Sequence, residues 1–101
     1  MNKDFAMWLL GQADFAQIEG NADLQMFLLG LHTGLMFRIE TETNLDLYCA
    51  KKEAISRDMA LTKDQMSLQS LFNRGKYMGF VNIADVNPAM RDMVSSKEAD
   101  C

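Results

Sequence analysis

Residues Asp23 to Ile39 decide the fold: Asp-Leu-Gln-Met-Phe-Leu-Leu-Gly-Leu-His-Thr-Gly-Leu-Met-Phe-Arg-Ile. Leu24, Phe27, Leu28, Leu31, Leu35 and Met36 recur at spacings of three and four, which places them on one side of an α-helix. Asn21 or Asp23 can cap its start, and Gly20 just upstream suits the end of a preceding helix. Gly30 and Gly34 lie one turn apart within it, where each glycine costs about 1 kcal/mol relative to alanine. A pair on one face predicts a place where another backbone comes close. A packing groove inside the monomer is favoured over a dimer seam, because small-residue seams are best attested in membranes.

Outward from this helix the pattern stays helical. A first helix runs from Asn2 or Asp4 to about Ile18, with Phe5, Trp8, Leu9, Phe15, Ala16 and Ile18 as its apolar positions. On the other side, Thr41-Glu42-Thr43-Asn44 reads as a polar loop. Leu45 to Cys49 alternates apolar and polar and is read as extended or as a turn of helix, with a short helix over Ala50–Met59. Thr62-Lys63-Asp64-Gln65 fits a capping box, in which Thr62 and Gln65 satisfy each other's amides. The helix it opens carries Met66, Leu68, Leu71 and Phe72 and is expected to end near Arg74-Gly75. Phe80 to Ile83 reads as a strand fragment or an extended buried connector. Asn87-Pro88 restarts a helix with Ala89, Met90, Met93 and Val94 on its apolar side. The expectation is an all-α fold, a compact bundle of about five helices, in one domain over residues 1–101.

Composition excludes several classes. Of 101 residues 49% are apolar and 24% charged, which is not the balance of a disordered chain. Ten basic against fourteen acidic side chains give a net charge of −4. That argues against nucleic acid and against anionic lipid, both of which recruit Lys and Arg. It suits a basic partner, or none that is charged. No apolar run approaches the roughly 20 residues of a membrane span; Phe5 to Leu10 is the longest. Lys3 ahead of that run imitates a signal peptide, but Asp4, Asp14 and Phe15 break the pattern. A cytoplasmic protein and a mature exported chain both remain open.

Chemistry is sparsely supplied. His32 is the only histidine and sits mid-helix, where a structural or surface role is the expectation. Nothing in the spacing brings Cys49 to it as a nucleophile. Gly30, Gly34, Gly75 and Gly79 lack the strand–loop–helix setting of a phosphate loop. One His and two Cys without close spacing do not make a zinc site, and Met90, Met93, His32 and Met36 are too sparse for a soft-metal cluster. No cofactor, metal or catalytic residue is therefore expected. Glu40, Glu42, Asn44 and Asp46 gather polar and acidic groups around one loop, which either solvates that loop or meets a basic partner. Cys49 and Cys101 read either as one bridge or as a buried thiol and an idle terminal one. A bridge closing about fifty residues would contribute about 4 kcal/mol.

Read together, Phe27-Leu28-Leu29-Gly30…Gly34-Leu35, Tyr48-Cys49, Leu61-Thr62…Gln65 and Pro88-Ala89…Cys101 resemble the Rap/Tai-type immunity proteins of bacterial type VI secretion. The resemblance covers roughly Asp23 to Cys101. It implies a small, helical, disulfide-bonded periplasmic protein that dimerises. It implies that the protein blocks a peptidoglycan-cleaving amidase toxin by binding, not by catalysis. Residue by residue it implies Gly30 and Gly34 as close-packing positions, Cys49 and Cys101 as the bridge, and Thr62 and Gln65 as a cap. The loop of Glu40, Glu42, Asn44 and Asp46 is the expected contact with the toxin. A periplasmic stress chaperone and a cytoplasmic helical interaction module are the alternatives.

Overall fold

The computed structural model describes residues 2–88, and these are helical almost throughout. The elements in order are α1 (Asn2–Ile18), α2 (Ala22–Glu40), α3 (Leu45–Thr62), α4 (Leu68–Phe80) and α5 (Ile83–Val86). No strand occurs among the described residues. The all-α expectation holds, but the count differs. Four helices have the length to build a bundle, and α5 is a single turn. The helix expected after Asn87-Pro88 and the Cys101 end of the bridge lie outside the described residues.

The central helix is α2. It packs against α1 on one side and α4 on another, while α3 and α5 pack against α4. Its apolar residues therefore serve more than one neighbour. Leu31 and Leu35 join Ala6, Leu9 and Ile83 in one buried cluster. Phe37 borders a second cluster of Tyr48, Ile55, Phe80 and Val81. Against α2, α1 turns a face of small residues: Ala6, Ala13 and Ala16 are buried beside Leu9. The two helices are also tied by His32, whose Nδ1 lies 2.7 Å from the carbonyl oxygen of Ala6 and donates to it.

The junction of α1 and α2 follows from Gly20, the one described residue with positive φ (76°). The Asn21 amide donates to the Ala16 carbonyl at 2.9 Å, and the Gly20 amide to Gln17 at 3.0 Å. These two bonds close α1 in a Schellman motif. The Asn21 side chain then accepts from the Leu24 amide at 3.1 Å and opens α2.

Between α2 and α4 the packing is backbone against backbone. A Cβ on Gly30 would overlap the Phe72 carbonyl oxygen and stand 2.9 Å from the Gly75 Cα. One on Gly34 would overlap the Lys76 carbonyl oxygen. From the other side, a Cβ on Gly75 would overlap the Phe27 carbonyl oxygen, and one on Gly79 that of Leu31. Two glycine pairs, each spaced by four, therefore face one another inside the monomer. Gly75 accordingly does not end α4, which runs through both glycines to Phe80. Both keep negative φ, so neither closes a helix; they are small because α2 is there.

Three more local readings are corrected. Leu45–Thr62 is one continuous helix, opened by the Asn44 side chain, which accepts from the Leu47 amide at 3.1 Å. The alternation over Leu45–Cys49 is not a burial pattern, because Leu45 and Leu47 stay 40% and 41% exposed while Tyr48 is buried. The Thr62–Gln65 capping box does not form. Thr62 ends α3, and its hydroxyl donates back to the Asp58 carbonyl at 3.1 Å. Asn73 of α4 holds it there, donating to Thr62 Oγ1 at 3.0 Å and to the Asp58 carbonyl at 3.2 Å. The cap of α4 is Ser67, which accepts from the Ser70 amide at 3.1 Å. Finally, Phe80, Val81 and Ile83 are buried as expected, but as the end of α4, its cap and the start of α5, not as a strand or an extended connector.

Candidate functional site

The corner joining α2 to α3 carries the expected polar and acidic residues. Glu40 is the last residue of α2, Glu42 lies in the connection, Asn44 caps α3 and Asp46 sits in its first turn. All four are exposed. Asp46 suits the positive end of the α3 dipole, so part of this acidity is explained by the helix itself. Glu40 is different. A carboxylate in the last turn of α2 opposes the dipole and costs a few tenths of a kcal/mol or more. Leu45 and Leu47 add half-exposed apolar surface beside the acids.

The corner is fixed from beneath. Thr41 is buried, its hydroxyl donating to the Arg38 carbonyl at 3.2 Å and its amide to the Phe37 carbonyl at 3.0 Å. The Asn44 amide in turn donates to the Thr41 carbonyl at 3.1 Å. Arg38 is fully buried, with its guanidinium carbon 4.4 Å from the centre of the Tyr48 ring. Tyr48 stacks on Phe80 at 5.0 Å and 17°. Arg38, Tyr48 and Phe80 thus form three layers joining the end of α2, the start of α3 and the end of α4. On the flank, Lys51 Nζ lies 4.4 Å from the centre of the Phe37 ring.

Reading the sequence missed Arg38 as a buried residue. The signal was present: Arg38 stands seven after Leu31 and three after Leu35, on the buried stripe of α2. A charged residue in register with a core stripe marks a buried cation.

Cys49 follows Tyr48 and packs, half-buried, against the same cluster. No described cysteine is a free thiol. Gly30 and Gly34 are far from solvent and contact α4, as described above. Met36 packs on the first core cluster, while Met90 and Met93 lie outside the described residues. No group of three or more potential metal ligands occurs among the described residues. None of the described helices is long and apolar enough to cross a membrane. A pocket of about 180 Å³ opens at the start of α4, between Asp23, Met66, Ser70 and Arg74. This is smaller than the roughly 300–1,000 Å³ of small-molecule sites.

Comparison of the chain with protein-family models, with curated proteins and with solved structures finds no match in any of the three.

Proposed function

We propose that this chain is a non-catalytic binding protein that presents the α2–α3 corner to a basic surface on another protein. The observation that carries this reading is the union of Glu40, Glu42 and Asp46, all exposed, with half-exposed Leu45 and Leu47 on a corner held by the Asn44 cap. Acidic groups around apolar side chains give charge complementarity at the rim and dry contact at the centre. The corner needs no conformational change to bind, because Thr41, Arg38 and Tyr48 already fix it.

The resemblance to Rap/Tai-type immunity proteins gives the partner its class: a secreted peptidoglycan amidase, neutralised in the periplasm. In that setting Cys49 pairs with Cys101, which agrees with Cys49 not being a free thiol.

Calorimetry against a secreted peptidoglycan amidase of the same organism tests the reading. Binding is expected at submicromolar concentration, weakened at least tenfold by Glu42→Lys together with Asp46→Lys, and weakened by salt. No binding at micromolar concentration, or binding indifferent to both substitutions, overturns it. A thiol assay on denatured, unreduced protein is expected to find no titratable thiol; two thiols would remove the bridge.

A further inference from the structure

Helices α2 and α4 run parallel. Gly30 stands against Phe72 and Gly75, and Gly34, one turn on, stands against Lys76 and Phe80. Continued back in this register, the first turn of α2 falls beside the first turn of α4. Two positive dipole ends therefore lie together at one end of the molecule. Asp23 answers the end of α2, whereas the first turn of α4 carries no acid.

The pocket of about 180 Å³ opens at this junction. Ser67, Ser70, Leu71 and Arg74, spaced by three and four, line it from one face of α4, and Asp23 lines it from α2. Ser70 is only 2% exposed. Its amide donates to Ser67, but its hydroxyl has no hydrogen-bond partner among the described residues. A buried hydroxyl normally has one. The little surface that Ser70 keeps is on the pocket. Arg74 is steadied by one bond, its Nη2 donating to the Lys63 carbonyl at 2.9 Å. Asp23 and Arg74 line the same small space, yet neither forms an ion pair with the other or with any other described residue.

We propose that this pocket binds a small free α-amino acid, its carboxylate on Arg74 and the Ser70 hydroxyl and its ammonium on Asp23. Arginine grips a carboxylate through paired N–H donors, and the dipole end of α4 favours the same charge. A simple anion would also meet the Asp23 carboxylate, so a zwitterion fits both charges where phosphate or acetate fits one. The volume, below the roughly 300 Å³ of ordinary small-molecule sites, restricts the ligand to a short side chain, which Leu71 and Met66 can cover. Asp23 and Glu40 stand at opposite ends of α2, about 25 Å apart. The pocket is therefore separate from the α2–α3 corner and independent of the proposed toxin.

Titration of the full chain with L-alanine, followed by amide chemical shifts in NMR, tests this. Saturable shifts at Asp23, Ser70 and Arg74 are expected, with a dissociation constant of about 1 mM or below, within what so small a ligand can supply. Propionate, ethylamine and dialanine, which lack one charge or hold the two apart, are expected to bind at least tenfold more weakly. Arg74→Gln and Asp23→Asn are each expected to weaken alanine at least tenfold, and Ser70→Ala about threefold, with helical circular dichroism retained. Glu42→Gln, at the far end of α2, should leave binding unchanged. No saturable shift by 10-fold above that concentration overturns the proposal. So does propionate binding as tightly as alanine, which would make this an anion site only, or dialanine doing so, which would make it a site for chain ends. Alanine binding that survives both charge substitutions overturns it equally.

Discussion

Gly30 and Gly75 occupy each other's side-chain space. A Cβ on either would stand 2.9 Å from the Cα of the other, closer than side-chain carbons approach in real proteins. Helices normally pack about 8–10 Å apart, separated by side chains. Here α2 and α4 dispense with them at four positions. The lost helix propensity is offset by dispersion contacts along two backbones.

Alanine at Gly30 or Gly75 gains about 1 kcal/mol of helix propensity but must push the two helices apart. Overpacking of this kind costs about 1–3 kcal/mol or more, and the obstacle here is backbone, which yields poorly. Each single variant is expected to lose about 2 kcal/mol net, a fall in Tm on the order of 10 °C for a chain this size. The double variant should lose less than the two singles together, because one displacement relieves both clashes. Thermal denaturation of the three variants checks this. Full additivity would mean that the two glycines do not share one contact.

The start of α4 separates two competing caps. Ser67 accepts from the Ser70 amide at 3.1 Å, so Ser67→Ala is expected to cost about 1 kcal/mol. Gln65 is exposed, and the contact of its side chain with the Ser67 hydroxyl is long, at 3.5 Å. Gln65→Ala should fall within about 0.5 kcal/mol of the parent. Urea titrations of both variants decide between the caps, and the reverse order would restore the Thr62–Gln65 box.

That contest also measures what the sequence made legible. The stripe of α2, the glycine pair, the cap at Asn21 and the stop at Gly20 are local signals, and each reads correctly without knowing its neighbours; Asn44 was read only as part of a polar loop, although it caps α3. Thr62 and Gly75 could not be read in that way. Thr62-Lys63-Asp64-Gln65 matches a helix start, but the same threonine can donate to a carbonyl four residues back, and Asn73, eleven residues on, selects that role. Gly75 looks like a stop until α2 is placed against it. The α2–α3 corner was found as a loop because its charge is visible in the chain. The layers of Arg38, Tyr48 and Phe80 beneath it were not, since three helices supply them.

A side chain at Gly20 is opposed by conformation and not by space. A Cβ there would meet nothing within 4 Å, yet φ is 76°. Gly20→Ala is therefore expected to cost about 1 kcal/mol, since side chains disfavour this region by that amount. Asn tolerates it better, so Gly20→Asn should recover about half of the loss. Chemical denaturation distinguishes the three proteins. Equal stability of the alanine variant and the parent would mean that α1 ends in another conformation.

Arg38 shows why charge alone does not define a buried cation. Its guanidinium lies 4.4 Å from the centre of the Tyr48 ring, and Phe80 stacks on the same ring at 5.0 Å. A planar cation covers an aromatic face; an ammonium on a flexible stem offers only a point of charge. Arg38→Lys keeps the charge and is expected to lose about 2 kcal/mol through the missing overlap. Tyr48→Leu removes the ring that both Arg38 and Phe80 contact. In a double-mutant cycle these substitutions should couple by about 1 kcal/mol or more, because the second finds the contact already gone. The coupling should persist at high salt, since Arg38 is fully buried and mobile ions do not reach it. A coupling near zero would mean that Arg38 stabilises the corner through its other contacts, and that the ring only fills space beside it.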